Sequence, residues 1–248
     1  LKEQKTGSNK YKNAENKADL TLGLRASVLG IKWSSAWKMP SYRWKFFVGM
    51  GILAAILISF PFFFRAIETR NGYLFSDIFL EWIPARNVSV AVFFLIWSCF
   101  VLILYRVVGD PQMLLLTLWA YNGVTLLRMA SIGLISLNPP AGLIPLADPI
   151  TNQFYGEQFI THDLFFSGHM TSVFLIFLCL KKKADRIYAL LASIILGILL
   201  LVQHVHYTID VLAAPVFTYA VYRLARLFTK PESTGLYSGT VSGGNSFL

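Results

Sequence analysis

The sequence predicts an all-α protein that crosses a membrane six times, with both termini on the cytoplasmic side. Three observations carry that expectation. Of the 248 residues, 55% are hydrophobic and only 14% are charged, and the mean hydropathy is positive, a balance foreign to soluble domains. Several apolar runs approach the roughly 20 residues that a helix needs to cross a bilayer core. The Lys and Arg residues fall mostly on one side of the resulting alternation.

Residues 1–44 read as a basic N-terminal arm. Within it, residues 20–44 (LTLGLRASVLGIKWSSAWKMPSYRW) set Leu, Val, Ile and Trp between Lys and Arg, which fits an interfacial amphipathic helix or, as plainly, a basic linker. The arm has no short apolar core of the kind a cleavable signal carries. The chain begins with Leu1 rather than Met, so its start is expected upstream or the chain is a trimmed one. Residues 45–227 read as one membrane domain with helices at about 45–64, 88–105, 112–135, 166–181, 187–203 and 206–227. The fourth and fifth of these are short and call for little tilt or a thin bilayer. The connection 65–87 carries mixed charges, and 136–164 is rich in Pro and Gly before it turns polar. The tail 228–248 is Ser/Gly-rich from Pro231 onward and is expected to be flexible.

Orientation follows from the cations. Ten of the 22 Lys and Arg lie in residues 1–45, and Arg106, Lys181, Lys182, Lys183, Arg186, Arg223, Arg226 and Lys230 join them on one side. The other side receives Arg65, Arg70, Arg86 and Arg128. The first side is therefore expected in the cytoplasm. The connection 136–164 has no Lys or Arg but carries Asp148, Glu157 and Asp163, in agreement. The net charge of +9 reflects this topology and attraction to anionic headgroups rather than nucleic acid, for which no stacking-and-basic module is visible. Cys99 and Cys179 fall inside apolar segments, so neither a structural disulfide nor a zinc site is expected.

Two segments carry chemistry. In DLFFSGHMTSVF (163–174), His169 follows Ser167 and Gly168 at a helix start. Ser167 can cap that helix, and unpaired N–H groups there attract phosphate. A histidine at that spot can protonate a leaving oxygen. In HVHYTIDVLAAP (204–215), His206 and Asp210 are i and i+4, stacked on one helical face. The carboxylate can fix the imidazole tautomer and raise its basicity. Read singly, Ser-Gly-His is an ordinary turn and cap, and His-Asp is a satisfied polar pair or a packing contact. The topology, however, brings His169 and His206 to one depth on the non-cytoplasmic side, and intramembrane ionisable residues default to function. Pro215 is expected to kink the last helix.

These segments, DLFFSGH (163–169) and HVHYTID (204–210), resemble the two signature segments of the sphingomyelin synthase family, within the type 2 phosphatidic acid phosphatase superfamily. The resemblance covers roughly residues 120–227, and Arg128 followed by LNPPAG is similar to that family's third-helix segment. It implies a six-helix core with His169, His206 and Asp210 as catalytic triad and with no cofactor or metal. By the same implication, His206 attacks the phosphorus of a donor, phosphatidylcholine or phosphatidylethanolamine, and His169 protonates the departing diacylglycerol. His169 then acts as base on an acceptor hydroxyl of ceramide or diacylglycerol.

The sequence departs from the superfamily's phosphatases at Leu200, where their pattern has Arg six residues before the second His, and it lacks their Lys/Arg-Pro motif. This favours a phosphodiester donor with an amine headgroup. Arg128 is the remaining candidate for a phosphate-facing cation, or it snorkels to the interface. Asp163 and Glu157, with Tyr155 or Tyr207, can meet the amine through charge and cation–π contact, or they are solvated loop residues. His204 repeats the family's His-x-His spacing and is kept in the substrate-binding set with Ser167 and Gly168. A metal held by His162, His169, His204 and His206 lacks the usual ligand spacing. Two alternatives stand beside the transferase. One is a phospholipase C or lipid phosphatase using water, and the other is a non-enzymatic lipid-binding or transport protein, whose usual repeated halves are not found. The sequence leaves oligomerisation open.

Overall fold

The computed structural model describes residues 32–146 and 160–230 of the chain. The expected interfacial segment up to residue 31, Asp148, Tyr155, Glu157 and the tail from 231 lie outside the described residues. Among the described residues eight helices follow in order: α1 (Trp33–Ala36), α2 (Pro40–Glu68), α3 (Ile78–Glu81), α4 (Ser89–Val108), α5 (Pro111–Leu134), α6 (Gly168–Cys179), α7 (Lys183–Val202) and α8 (Thr208–Phe228). Besides these, the described residues contain only an isolated bridge between Tyr73 and Leu137. Cys99 and Cys179 are free and buried.

Each of the six expected segments is helical, but they are not six equal spans. Five helices, α2, α4, α5, α7 and α8, are long and apolar enough to cross a membrane. The remaining one, α6, has 12 residues and rises only about 18 Å, against a core of about 30 Å. It ends early because Ser167 caps it at one end and the Leu180–Lys182 linker closes it at the other. The expected shortness of the fifth segment is corrected, since α7 runs for 20 residues from Lys183. Its polar first turn, KADR, is helical although it is not apolar.

Capping residues set the helix starts. Asp110 stands before Pro111 and accepts a hydrogen bond from the Met113 N–H at 2.9 Å, while Pro at the first helical position needs no partner for its nitrogen. Helix α2 also begins on Pro. It lies close against α5 at Gly49, where a Cβ would come within 2.8 Å of Leu118 and where Asn122 donates to the Gly49 carbonyl at 2.8 Å. Much of α2 is otherwise bare, with Phe62 74% and Ile58 69% exposed, as a lipid-facing helix requires.

Short α6 is the hub, packed against α4, α5, α7 and α8. Its neighbours Val124, Leu196, Leu200, Val211 and Ala214 join Phe166, Val173 and Leu175 in the main core. Since α7 is eight residues longer than α6 and the two are joined by a three-residue linker, the start of α6 falls roughly 12 Å short of the far end of α7. A layer of loops closes over that recess. Gln203, fully buried, receives the Val88 N–H and donates to Ser89 and to the carbonyls of Ile144 and Pro145. The Tyr73 and Asn138 segments pair through their main chains.

Candidate functional site

Helix α6 starts where three elements converge. Ser167 is fully buried, and its Oγ accepts from the Met170 N–H at 3.4 Å. Its own main-chain N–H donates to the carbonyl of Asp210 at 3.1 Å. That one hydrogen bond fixes the start of α6 to the start of α8, and so sets the two histidine segments against each other. The His169 and His206 ring centroids lie 6.2 Å apart, edge to face. On its other side His169 meets the edge of Phe93 at 6.4 Å.

His206 does not lie on a helix. Helix α8 begins at Thr208 with Tyr207 as its N-cap, so His206 sits in the turn before it. It still reaches Asp210, with Nδ1 and Oδ2 3.7 Å apart and the two side chains 3% and 0% exposed. That separation is close contact without a formed hydrogen bond. His206 Nδ1 and Asp210 Oδ1 are buried with no hydrogen-bond partner among the described residues. Burying polar atoms unpaired is costly, and a shift of Nδ1 by less than an ångström toward Oδ2 would bring it within hydrogen-bond range. Asp210 is held for the purpose, because its Oδ2 also accepts from the Tyr207 N–H at 3.0 Å, the N3-to-N-cap contact of a helix start.

Arg128 is turned inward from α5, with its side chain 15% exposed. Its Nε donates to the Phe166 carbonyl at 2.8 Å, and its Nη2 donates to Asp163 at 2.7 Å. One turn on, Ser131 donates to the Phe165 carbonyl at 2.9 Å. Helix α5 thus grips the loop that leads into α6. The guanidinium lies against Gly168, where a Cβ would fall 2.5 Å from Nη1 and 2.6 Å from Cζ. Glycine is the residue that lets a cation reach the first turn of α6, next to His169.

The other residues singled out in the sequence are placed differently. Tyr207 is buried, donates to the Asn138 carbonyl at 2.9 Å and accepts from the Phe75 N–H at 3.3 Å. Burial, reinforced by the nearby Asp210 and Asp77 carboxylates, pushes its phenol up, so it remains a donor. His204 adopts a left-handed backbone with φ 56°. Its ring lies between the carbonyl oxygens of Ala141, 3.0 Å from Nδ1, and Ile83, 2.8 Å from Nε2. His162 lies with Thr161 on Glu68, whose carboxylate accepts both main-chain N–H groups at 2.6 and 2.8 Å.

Asp77 was not legible as a site residue. It caps α3 through the N–H groups of Phe79 and Leu80, and it accepts from the Thr208 N–H at 2.6 Å and the Thr208 hydroxyl at 3.1 Å. It therefore also serves as the anion at the start of α8. The sequence signal was half there: Ser-Asp before Ile-Phe-Leu-Glu is a helix-start pattern. Its second partner, 131 residues away, leaves no local trace.

Fold and site together define a class: a multi-pass membrane protein, all-helical among the described residues, in which half-buried His169 meets buried His206 and Asp210 under loops, beside an inward-facing arginine. Residues 162–227 match the family model described as PAP2 superfamily C-terminal, a segment that holds His169, His206 and Asp210 but not Arg128. The match supports the type 2 phosphatidic acid phosphatase superfamily, and with it a phosphatase or phosphotransferase reaction on lipid phosphate groups. The chain matches none of the curated proteins compared with it.

Proposed function

We propose that the protein moves a phosphocholine or phosphoethanolamine group from a glycerophospholipid to the hydroxyl of ceramide or diacylglycerol. The observation that carries this reading is the juxtaposition of His169 and His206 at 6.2 Å with Asp210 behind His206. At that spacing both rings can reach one phosphorus. Asp210 accepts a hydrogen bond from the Nδ1–H of His206, which fixes the tautomer and leaves the Nε2 lone pair for attack. The new N–P bond forms as the P–O bond to the glycerol oxygen breaks, and His169 delivers its proton to that oxygen, releasing diacylglycerol. In the return step His169 takes the proton of the acceptor hydroxyl, whose oxygen displaces His206 from phosphorus. The developing imidazolium of His206 is stabilised by the Asp210 carboxylate.

Two features support a diester donor and a lipid acceptor. Asp163 at 2.7 Å already compensates the charge of Arg128, so the site offers little to a doubly charged monoester. The layer of loops over the recess, held by Gln203, Tyr207 and His204, limits water, the competing acceptor. The second reading, hydrolysis by the same residues, accords with the superfamily match as well as transfer does. In both, the histidine end is expected on the non-cytoplasmic side, by the positive-inside rule.

The test uses purified protein and a donor labelled in its headgroup. Transfer predicts labelled acceptor lipid and little free headgroup phosphate. Release that is independent of added ceramide or diacylglycerol selects hydrolysis. If His206→Ala or Asp210→Ala protein transferred label at the wild-type rate, both readings would fall.

A further inference from the structure

At the end of the bundle opposite the histidines, α6 and α7 are joined by Leu180, Lys181 and Lys182. A cavity of about 270 Å³ opens there, lined by Phe177, Lys181, Lys183, Arg186, Ile187 and Leu190. Its wall is apolar and bare, with Ile187 49% and Leu190 36% exposed. Its rim is cationic, and the Arg186 guanidinium lies over the Phe177 ring at 5.2 Å, which leaves its edge for a ligand.

The carboxylates nearby are already engaged. Asp185 accepts two hydrogen bonds from Arg106, at 2.6 and 3.0 Å. Asp110 caps α5 with one oxygen and takes Lys181 with the other. Lys182, Lys183 and Arg186 have no carboxylate within ion-pair distance among the described residues. The start of α7 adds partial charge of the same sign.

We propose that this slot binds an anionic phospholipid of the leaflet on that side. The phosphate of the lipid sits between Lys183 and Arg186, and an acyl chain runs along Phe177, Ile187 and Leu190 toward the lipid-facing side of α7. A zwitterionic headgroup brings a second, positive end to a rim with no spare acid to receive it, so charge complementarity selects the anion. A free phosphate would leave the apolar wall bare. The slot lies the full length of α6 away from His169, and the inference is independent of the reaction proposed above.

The test is native mass spectrometry of the full-length chain in detergent, titrated with dioleoylphosphatidylglycerol or dioleoylphosphatidylcholine. Phosphatidylglycerol should bind at least about tenfold more tightly than phosphatidylcholine, and millimolar inorganic phosphate should not displace it. The exposed pair Lys183→Gln/Arg186→Gln should abolish that preference. Arg223→Gln/Arg226→Gln, which removes two charges from the end of α8, should leave it intact. Should the first pair not purify, Lys183→Gln alone carries the same test with a smaller loss. Equal affinity for the two lipids, displacement by phosphate, an unchanged preference in the Lys183 variants, or an equal loss in the α8 pair would each overturn the proposal.

Discussion

Asp210 carries three attachments. Its side chain accepts the Tyr207 N–H and approaches His206, while its carbonyl accepts the Ser167 N–H. Charge and shape can therefore be separated by substitution. Asp210→Asn keeps the shape and removes the charge that supports an imidazolium, so turnover should fall by about 10²- to 10⁴-fold with little change in thermal stability. Equal losses of stability and activity would instead make Asp210 a packing residue. Gly168 gives a second test, because a Cβ there meets the Arg128 guanidinium within 2.7 Å. Gly168→Ala should displace that cation and cost about a hundredfold in kcat/KM, with the helices intact by circular dichroism. At this scale the sequence singled out the residues that the fold brings together but not how they are presented. The i, i+4 spacing of His206 and Asp210 brings them together from a turn rather than along a helix. Arg128 could be named, whereas its embrace by Asp163 and the Phe166 carbonyl depends on residues 35 and 38 positions away.

Helix starts do most of the positioning. Asp77 joins α3 to α8 through its contacts with Phe79, Leu80 and Thr208. Asp77→Ala should lower stability by about 1–3 kcal/mol and reduce activity further than that loss explains, with Asp77→Asn restoring part of both. A melting curve and an assay on the same samples check this. Asp110 is the control at the other end, where Asp110→Ala removes a cap worth about 1 kcal/mol and should leave kcat unchanged. The helices themselves were legible because apolar length is a local property: 112–135 was expected and Pro111–Leu134 forms, and 88–105 was expected and Ser89–Val108 forms. The polar ends of α2 and α7 were missed for the same reason, since aromatic and charged turns such as SYRWK and KADR are helical without being apolar. The loop layer made by Gln203, Tyr207 and His204 depends on contacts across 58 to 121 residues, which no local pattern encodes.

For the whole molecule, the short α6 places His169 beneath one face, while among the described residues most Lys and Arg gather toward the other. The charge asymmetry predicts that the cationic end faces the cytoplasm. Cys99 and Cys179 are buried, so single cysteines placed at Arg86 and Lys182 report orientation cleanly. An impermeant thiol reagent on intact cells should label position 86 and reach 182 only after permeabilisation, and the reverse pattern would invert the topology. The central claim is that His206 carries the headgroup phosphate between two lipids. It is tested most directly by acid-free quenching of the purified protein with a donor labelled at phosphorus. The account predicts an alkali-stable, acid-labile label on the wild-type chain that is absent from His206→Ala and chased by acceptor lipid. Label that persists on His206→Ala protein, or turnover by that variant at the wild-type rate, would contradict it.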